Sequence, residues 1–168
     1  MDTNRVPPLH HEDNPTGCCP RFHPEDWVGV ELHFCDKRFV RAQVHEALHI
    51  PLDMDKVFTR VDAAMRAANA QDPGDFIVLS RDTSAWKGEH LFAASGDVPG
   101  EEMIRLSGDF ITRVFEGPYS QAGNWARQMQ ADAAARGKPG GEVWFYYTTC
   151  PRCAQVYGKN YVVGLARM

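Results

Sequence analysis

Near the C-terminal end, Cys150-Pro151-Arg152-Cys153 has the spacing at which two thiolates grip one metal ion. A zinc site built on it needs two more ligands. Cys18 and Cys19 form the obvious second pair, and His10, His11 and His23 offer nitrogen nearby in the sequence. The side chains of adjacent residues diverge, so one of these cysteines with His23 makes a reasonable set. Two other readings stand beside zinc. A thioredoxin-like pair needs the motif at the head of a long helix that follows a strand. Here a strand-like run, Asn160 to Ala166, takes most of the chain that remains. Free thiols in a tight turn are the third reading. Three ligands and an open position would make zinc catalytic, four would make it structural, and the spacing does not separate these. No cofactor is required by the pattern, and a structural zinc is the one it suggests. Cys35, in a strand-like run, reads as core.

Rings and titratable groups make the second constellation. Along Glu142 to Thr148 side chains alternate, so Val143, Phe145 and Tyr147 share one face, and Trp144 and Tyr146 the other. One set must pack on helices, and the other faces the open side of a sheet. Rings with a few hydroxyls suit a flat, lipophilic or aromatic ligand. Trp86, Tyr119, Trp125, Phe145 and Tyr147 are the candidate lining, with His49 at a strand end, although Trp125 also falls on an apolar helix stripe. Hydrolysis of such a ligand needs a proton donor and an oriented water. Glu116 and His45 are the candidate acid and base, and Glu46, Glu89 and His90 also lie near strand ends. There is no nucleophile-elbow pattern, which argues against an acyl-enzyme esterase.

The elements that must position these residues come in two copies. In the first, a strand over Arg38 to His45 leads to a helix whose apolar residues Met54, Val57, Phe58, Val61, Met65 and Ala68 fall on one face. Asp53 suits its N-cap. Strands over Phe76 to Ser80 and Glu89 to Ser95 follow. In the second, the strand Asp109 to Glu116 leads to a helix carrying Ala122, Trp125, Met129 and Ala133, with Ser120 to cap its start and Gly137 its end. Strands over Glu142 to Thr148 and Asn160 to Ala166 close the chain. Both helices contain Asp-Ala-Ala followed by Arg, at Asp62 and Asp132, and both exit through Pro-Gly. The predicted fold is α+β: two tandem β-α-β-β repeats, about 34–98 and 103–168, joined in one antiparallel sheet with both helices on one face. Residues 1–33 form an N-terminal arm holding Cys-Cys-Pro, loose over 1–17. Glu116 and His45 end corresponding strands, which puts them at equivalent places around a cleft between the repeats.

Composition narrows the partners. The chain has 168 residues, 43% hydrophobic and 24% charged, with a net charge of −4. That suits a globular domain with a proper core. It argues against nucleic acid, which calls for a basic face. No apolar run reaches membrane length, and the polar, proline-rich start has no signal-peptide core, so the expected compartment is cytoplasmic. Five cysteines, an odd number, then favour thiols or metal ligands over disulfides. The oligomeric state is not legible.

The stretch Phe110 to Gln130, with its Phe115-Glu116-Gly117-Pro118-Tyr119 and the Trp125 helix, followed by a strand ending in Tyr146-Tyr147, resembles the GyrI-like effector-binding domains of bacteria. These are tandem β-α-β-β proteins related in fold to the SOUL haem-binding proteins, and the resemblance runs from about Phe34 to Met168. Cys18-Cys19-Pro20 and the run Tyr147 to Val163 also look close to a bacterial set labelled "hydrolase". The resemblance implies a cleft between the repeats for a flat or lipophilic molecule. It further implies ligand binding in some members and, in others, opening of strained cyclopropane rings of toxic natural products. Family binders commonly carry a glutamate two residues before the strand's tyrosine. Here Phe145 stands there and leaves an aromatic wall, so an acid at that position does not carry over. Haem is suggested by fold kinship alone, with His49 or His90 as ligand and no motif in support. A non-catalytic binding module and a zinc-stabilised interaction protein are the alternatives to a hydrolase.

Overall fold

The computed structural model describes residues 2–48 and 50–168; His49 lies outside them. The long strand β1 (Glu31–Ala47) is followed by the two-residue β2 (Ile50–Pro51), α1 (Met54–Ala67), β3 (Val78–Ser84) and β4 (Lys87–Ala93). The second copy is β5 (Glu102–Glu116), α2 (Ala122–Ala135), β6 (Val143–Tyr147) and β7 (Tyr161–Arg167), with a third helix, α3 (Pro151–Tyr157), between its last two strands. Within each copy the order across the sheet is the same: β1-β4-β3 and β5-β7-β6. The copies join twice, through β3–β6 and through β1–β5.

The second junction corrects the expectation of an open sheet. With β1 paired to β5, six antiparallel strands close into a barrel. Each three-stranded unit alone leaves two raw edges, and twist brings those edges round to meet. The face expected to be open is therefore the inside of the barrel, and it is full. Phe34, Phe39, Leu79, Leu91, Phe110, Trp144 and Leu165 are among the side chains packed there. β1 accommodates the curvature with a bulge between Phe34 and Lys37, where Asp36 takes φ 49°.

Both main helices lie on the outer surface, as the apolar stripes require. Val57, Val61 and Met65 of α1 pack on Val40, Ala42, Val44 and Phe92. Trp125, Met129 and Ala133 of α2 pack on Ile111, Phe115, Phe145 and Val162. Trp125 is thus core, stacked on Phe115 with ring centroids 5.4 Å apart. Asp53 occupies the N-cap position of α1 but does not cap it. Its carboxylate instead accepts from the His45 backbone N–H and pairs with the His45 ring, both at 2.8 Å. Ser120 sits in a 3-10 turn over Tyr119–Gln121 rather than at the cap of α2.

The N-terminal arm is not loose. Thr3 bridges to His33, the Lys37 ammonium donates to the Asn4 carbonyl at 2.8 Å, and Arg5 pairs with Asp75 at 2.7 Å. Val6, Leu9, Phe22 and Trp27 pack against the barrel interior and stop one end of it. Inward-facing charges line up elsewhere along the same interior. Glu102, Arg41, Glu89, Arg81, Glu142 and Arg167 pair in sequence, and Arg81 lies over the Trp144 ring at 4.0 Å. Among the described residues no helix is long and apolar enough to cross a membrane.

Candidate functional site

Three features converge where β6 ends. The strand leaves the barrel at Tyr147, and Thr148 donates its hydroxyl to the Tyr161 carbonyl at 2.8 Å. Cys150 is extended, Pro151 fixes the first helical φ, and Gly158 ends α3 in the left-handed region at φ 72°. The Cys-Pro-x-Cys motif is therefore the head of a two-turn helix, not a plain turn. The arm brings Cys18 and Cys19 onto it. The Sγ atoms of Cys18, Cys19, Cys150 and Cys153 all lie within 4.8 Å of one another, a grouping that can hold a metal ion. The Cys150 N–H donates to Cys19 Sγ at 3.4 Å, and the Tyr157 hydroxyl donates to the Cys19 carbonyl at 2.6 Å. The Thr16 hydroxyl, 3.3 Å from Cys153 Sγ, draws that thiol down to about 7, whereas burial pushes Cys19 up to about 12.

The neighbouring histidines do not join the cluster. Both ring nitrogens of His23 pair with carboxylates, Asp13 at 3.0 Å and Glu25 at 3.1 Å. His10 is held in the same way by Glu12 and Asp26, and His11 faces the Pro73 carbonyl. The expected mixed set with His23 is replaced by four thiols: just past the turn at Gly17 (φ 68°) the two adjacent cysteines hold their sulfurs 3.7 Å apart. Beside the cluster runs a surface groove of about 370 Å³, walled by Arg21, Phe22, Tyr157, Lys159 and Tyr161, with Thr149 at its base.

On the other side of Thr149 lies an aromatic strip on the outer barrel surface, along the β3–β6 junction between α1 and α2. The Tyr119 hydroxyl donates to the Thr149 carbonyl at 2.9 Å. Its ring meets Tyr147 at 5.6 Å, Tyr147 meets Phe145 at 6.2 Å, and Phe145 meets Trp125 at 6.5 Å. From the first repeat, Ser80 pairs with Phe145 across the junction and hydrogen-bonds His90 Nδ1 at 2.7 Å. Phe58 of α1 stands edge-on to His90 at 5.2 Å. Burial lowers His90 to about 4, so its imidazole is neutral at pH 7, and its Nε2 has no hydrogen-bond partner among the described residues. Tyr147 is 37% exposed, yet burial of its phenol raises it above its ordinary range. The charges of Asp82 and Glu46 and the Tyr119 phenol add to that rise. Glu46 is only 7% exposed, and its carboxylate occupies the space that a side chain on Gly88 would fill.

Of the residues singled out from sequence, the fold gathers Tyr119, Trp125, Phe145 and Tyr147 in one strip and the four cysteines at its end. Trp86 is 60% exposed at the β3–β4 turn, its carbonyl accepting from the Glu46 N–H at 2.8 Å. Glu116 and His45 do not come together. They lie beyond opposite ends of the β1–β5 ladder, past the Glu31–Ile111 and Arg41–Glu102 pairs, because antiparallel neighbours end in opposite directions. Glu116 pairs with Lys159 at 3.6 Å, and His45 with Asp53. His49 lies outside the described residues. Glu46 is the residue that sequence gives no reason to prefer over other strand-end acids. Gly88, inside an otherwise bulky strand, is the signal for it.

The fold and these sites define a closed, duplicated β-α-β-β barrel with a cysteine cluster at one corner. The chain belongs to the family described as Bacterial hydrolase, whose model matches residues 9–168. No curated protein and no solved structure matches it. The match takes in the arm from Leu9 onward along with the barrel, so both cysteine pairs fall inside the family unit.

Proposed function

We propose that the protein is a hydrolase for a small, flat, lipophilic substrate seated on the strip between α1 and α2, with strained-ring compounds of the cyclopropane type as the favoured class. The duplicated unit with its two helices astride a junction supports kinship with the GyrI-like domains, and family membership supports hydrolysis. The observation that carries the reading is Tyr147. The residue is 37% exposed, yet its phenol is largely buried, stays protonated at neutral pH, and stands among the Tyr119 and Phe145 rings within electrostatic reach of a buried carboxylate from the other repeat.

The chemistry follows from those groups. Rings hold a planar apolar substrate by area and by quadrupole. Ring opening by water breaks one strained C–C bond; hydroxyl adds to one carbon and a proton to the other. Glu46 takes the proton from the attacking water, and Tyr147 donates a hydrogen bond to the group on which charge develops. His90, neutral and anchored by Ser80, backs the strip without adding charge. A bound substrate covers Tyr147 and excludes bulk water, leaving the attacking water on the carboxylate.

The test is a screen of cyclopropane-bearing aromatic compounds with product mass as the readout. A product heavier by one water is expected. Tyr147→Phe and Glu46→Gln should each lower kcat/KM by about tenfold to a hundredfold, while Glu116→Gln and His45→Ala leave it unchanged. Recovery of the ligand intact, together with a saturable change in tryptophan fluorescence, would mean a binding module instead.

A further inference from the structure

We infer that Cys18, Cys19, Cys150 and Cys153 bind one zinc ion in a closed tetrathiolate site that fastens the N-terminal arm to the head of α3. The four residues are free thiols whose Sγ atoms fall within 4.8 Å of each other. Zn–S bonds of about 2.3 Å in a tetrahedron put the sulfurs about 3.8 Å apart. Cys18 and Cys19 already stand at 3.7 Å. Small side-chain rotations close the rest, since the backbone of both segments is fixed by other bonds: the Tyr157 hydroxyl to the Cys19 carbonyl, and Thr16 to Tyr157 and to Cys153.

Ligand chemistry selects the ion. An all-thiolate set favours zinc over magnesium or calcium, which take oxygen. Four protein ligands leave no position for water, so the ion serves structure and not hydrolysis. The groups around the sulfurs suit thiolates. The Cys150 N–H and the Thr16 hydroxyl both lie at hydrogen-bonding distance from sulfur. The nitrogens of His10 and His23, the arm histidines on either side of the cysteine pair in the described residues, are each held by two carboxylates.

The consequence is mechanical. The arm that carries Cys18 and Cys19 also carries Val6, Leu9, Phe22 and Trp27, which stop the barrel end. Binding an ion across residues so far apart in the chain locks that stopper shut and fixes Thr149, Tyr157 and Arg21 in the wall of the groove. Metal binding of this kind contributes directly to folding free energy. The cluster adjoins the end of the aromatic strip but supplies none of the groups assigned to the reaction, so this inference and the hydrolase reading stand or fall independently.

Elemental analysis of the full chain, purified without added metal or chelator, should find about one equivalent of zinc. Cobalt(II) exchanged into it should give an intense near-ultraviolet thiolate-to-cobalt band and the visible bands of a tetrahedral ion. Cys18→Ser and Cys150→Ser should lose the ion, and Cys35→Ser, whose thiol is exposed on β1 rather than in the core as its strand-like run suggests, should keep it. Stripping zinc with a chelator should lower the thermal midpoint by about 5–10 °C. Should the serine variants fail to fold, the cobalt spectrum of the unmodified chain still decides. Zinc below about a tenth of an equivalent with no cobalt spectrum would overturn the inference. So would a chain mass lower by a pair of hydrogens, which reports a disulfide in place of the ion.

Discussion

His90 is a buried imidazole with one satisfied nitrogen and one that has no hydrogen-bond partner among the described residues. Charging it inside the protein is costly, and burial sets its titration near 4 against 6.5 in a free chain. The unfolded chain takes up that proton between about pH 6.5 and pH 4 while the folded one refuses it. Stability should therefore be unaffected by His90 above that window and fall as pH drops through it, by up to about 3 kcal/mol. Denaturant midpoints at pH 7 and pH 5 measure this. His90→Asn, which keeps a hydrogen-bonding atom for Ser80 but cannot charge, should lose less between the two; equal losses would remove His90 from the account. At the same scale Gly88 has a plain purpose. It leaves the room into which the Glu46 carboxylate turns.

Helix α2 depends on a second glycine of this kind. A Cβ on Gly164 of β7 would stand 2.8 Å from the Met129 side chain and 2.9 Å from the Phe115 ring. The absence of that carbon lets Met129 seat fully, and it is 0% exposed. Gly164→Ala should lift α2 from the sheet and cost about 1–3 kcal/mol, read as a fall in thermal midpoint with the far-ultraviolet spectrum unchanged. An unaltered midpoint would mean that Met129 yields freely. Both amphipathic helices were legible in advance from their stripes. α3 was not. A seven-residue helix offers too few turns to show a period, and the Pro151 that starts it also reads as a turn.

The whole barrel carries a chain of charges in its interior. Glu89, 3% exposed, is approached by Arg41 at 2.5 Å and by Arg81 at 2.8 Å. Arg81 passes the chain on to Glu142, and Glu142 to Arg167. Burial alone would raise Glu142, but the hydrogen bonds and charges of Arg81 and Arg167 outweigh it and hold the carboxyl below its ordinary range. Removing the central carboxylate cuts the chain in two and takes one of two carboxylate partners from each of Arg41 and Arg81. Glu89→Gln should cost about 3 kcal/mol, at the lower end for a buried pair because both arginines keep some solvent. A urea midpoint measures it. A loss under about 0.5 kcal/mol would show that the network is ornamental to stability.

Local pattern settled a good deal here. The alternation in Val143–Tyr147, the stripes at Val57, Val61, Met65 and at Trp125, Met129, Ala133, and the shared Asp-Ala-Ala segments define two β-α-β-β units without reference to any long-range contact. The paired cysteines likewise marked a metal-type spacing, since a thiol pair two residues apart is a local property. What no local pattern holds is how distant segments meet. Whether the sheet stays open or closes depends on twist summed over all its strands, and closure turned the supposed open face into the core. The same summation carried the arm onto α3 and brought four sulfurs within one ion's reach. It also parted Glu116 from His45 and put the Glu46 carboxylate within electrostatic reach of Tyr147. Periodicity acts over a few residues; register and closure act over the whole chain, and the site belongs to the second kind.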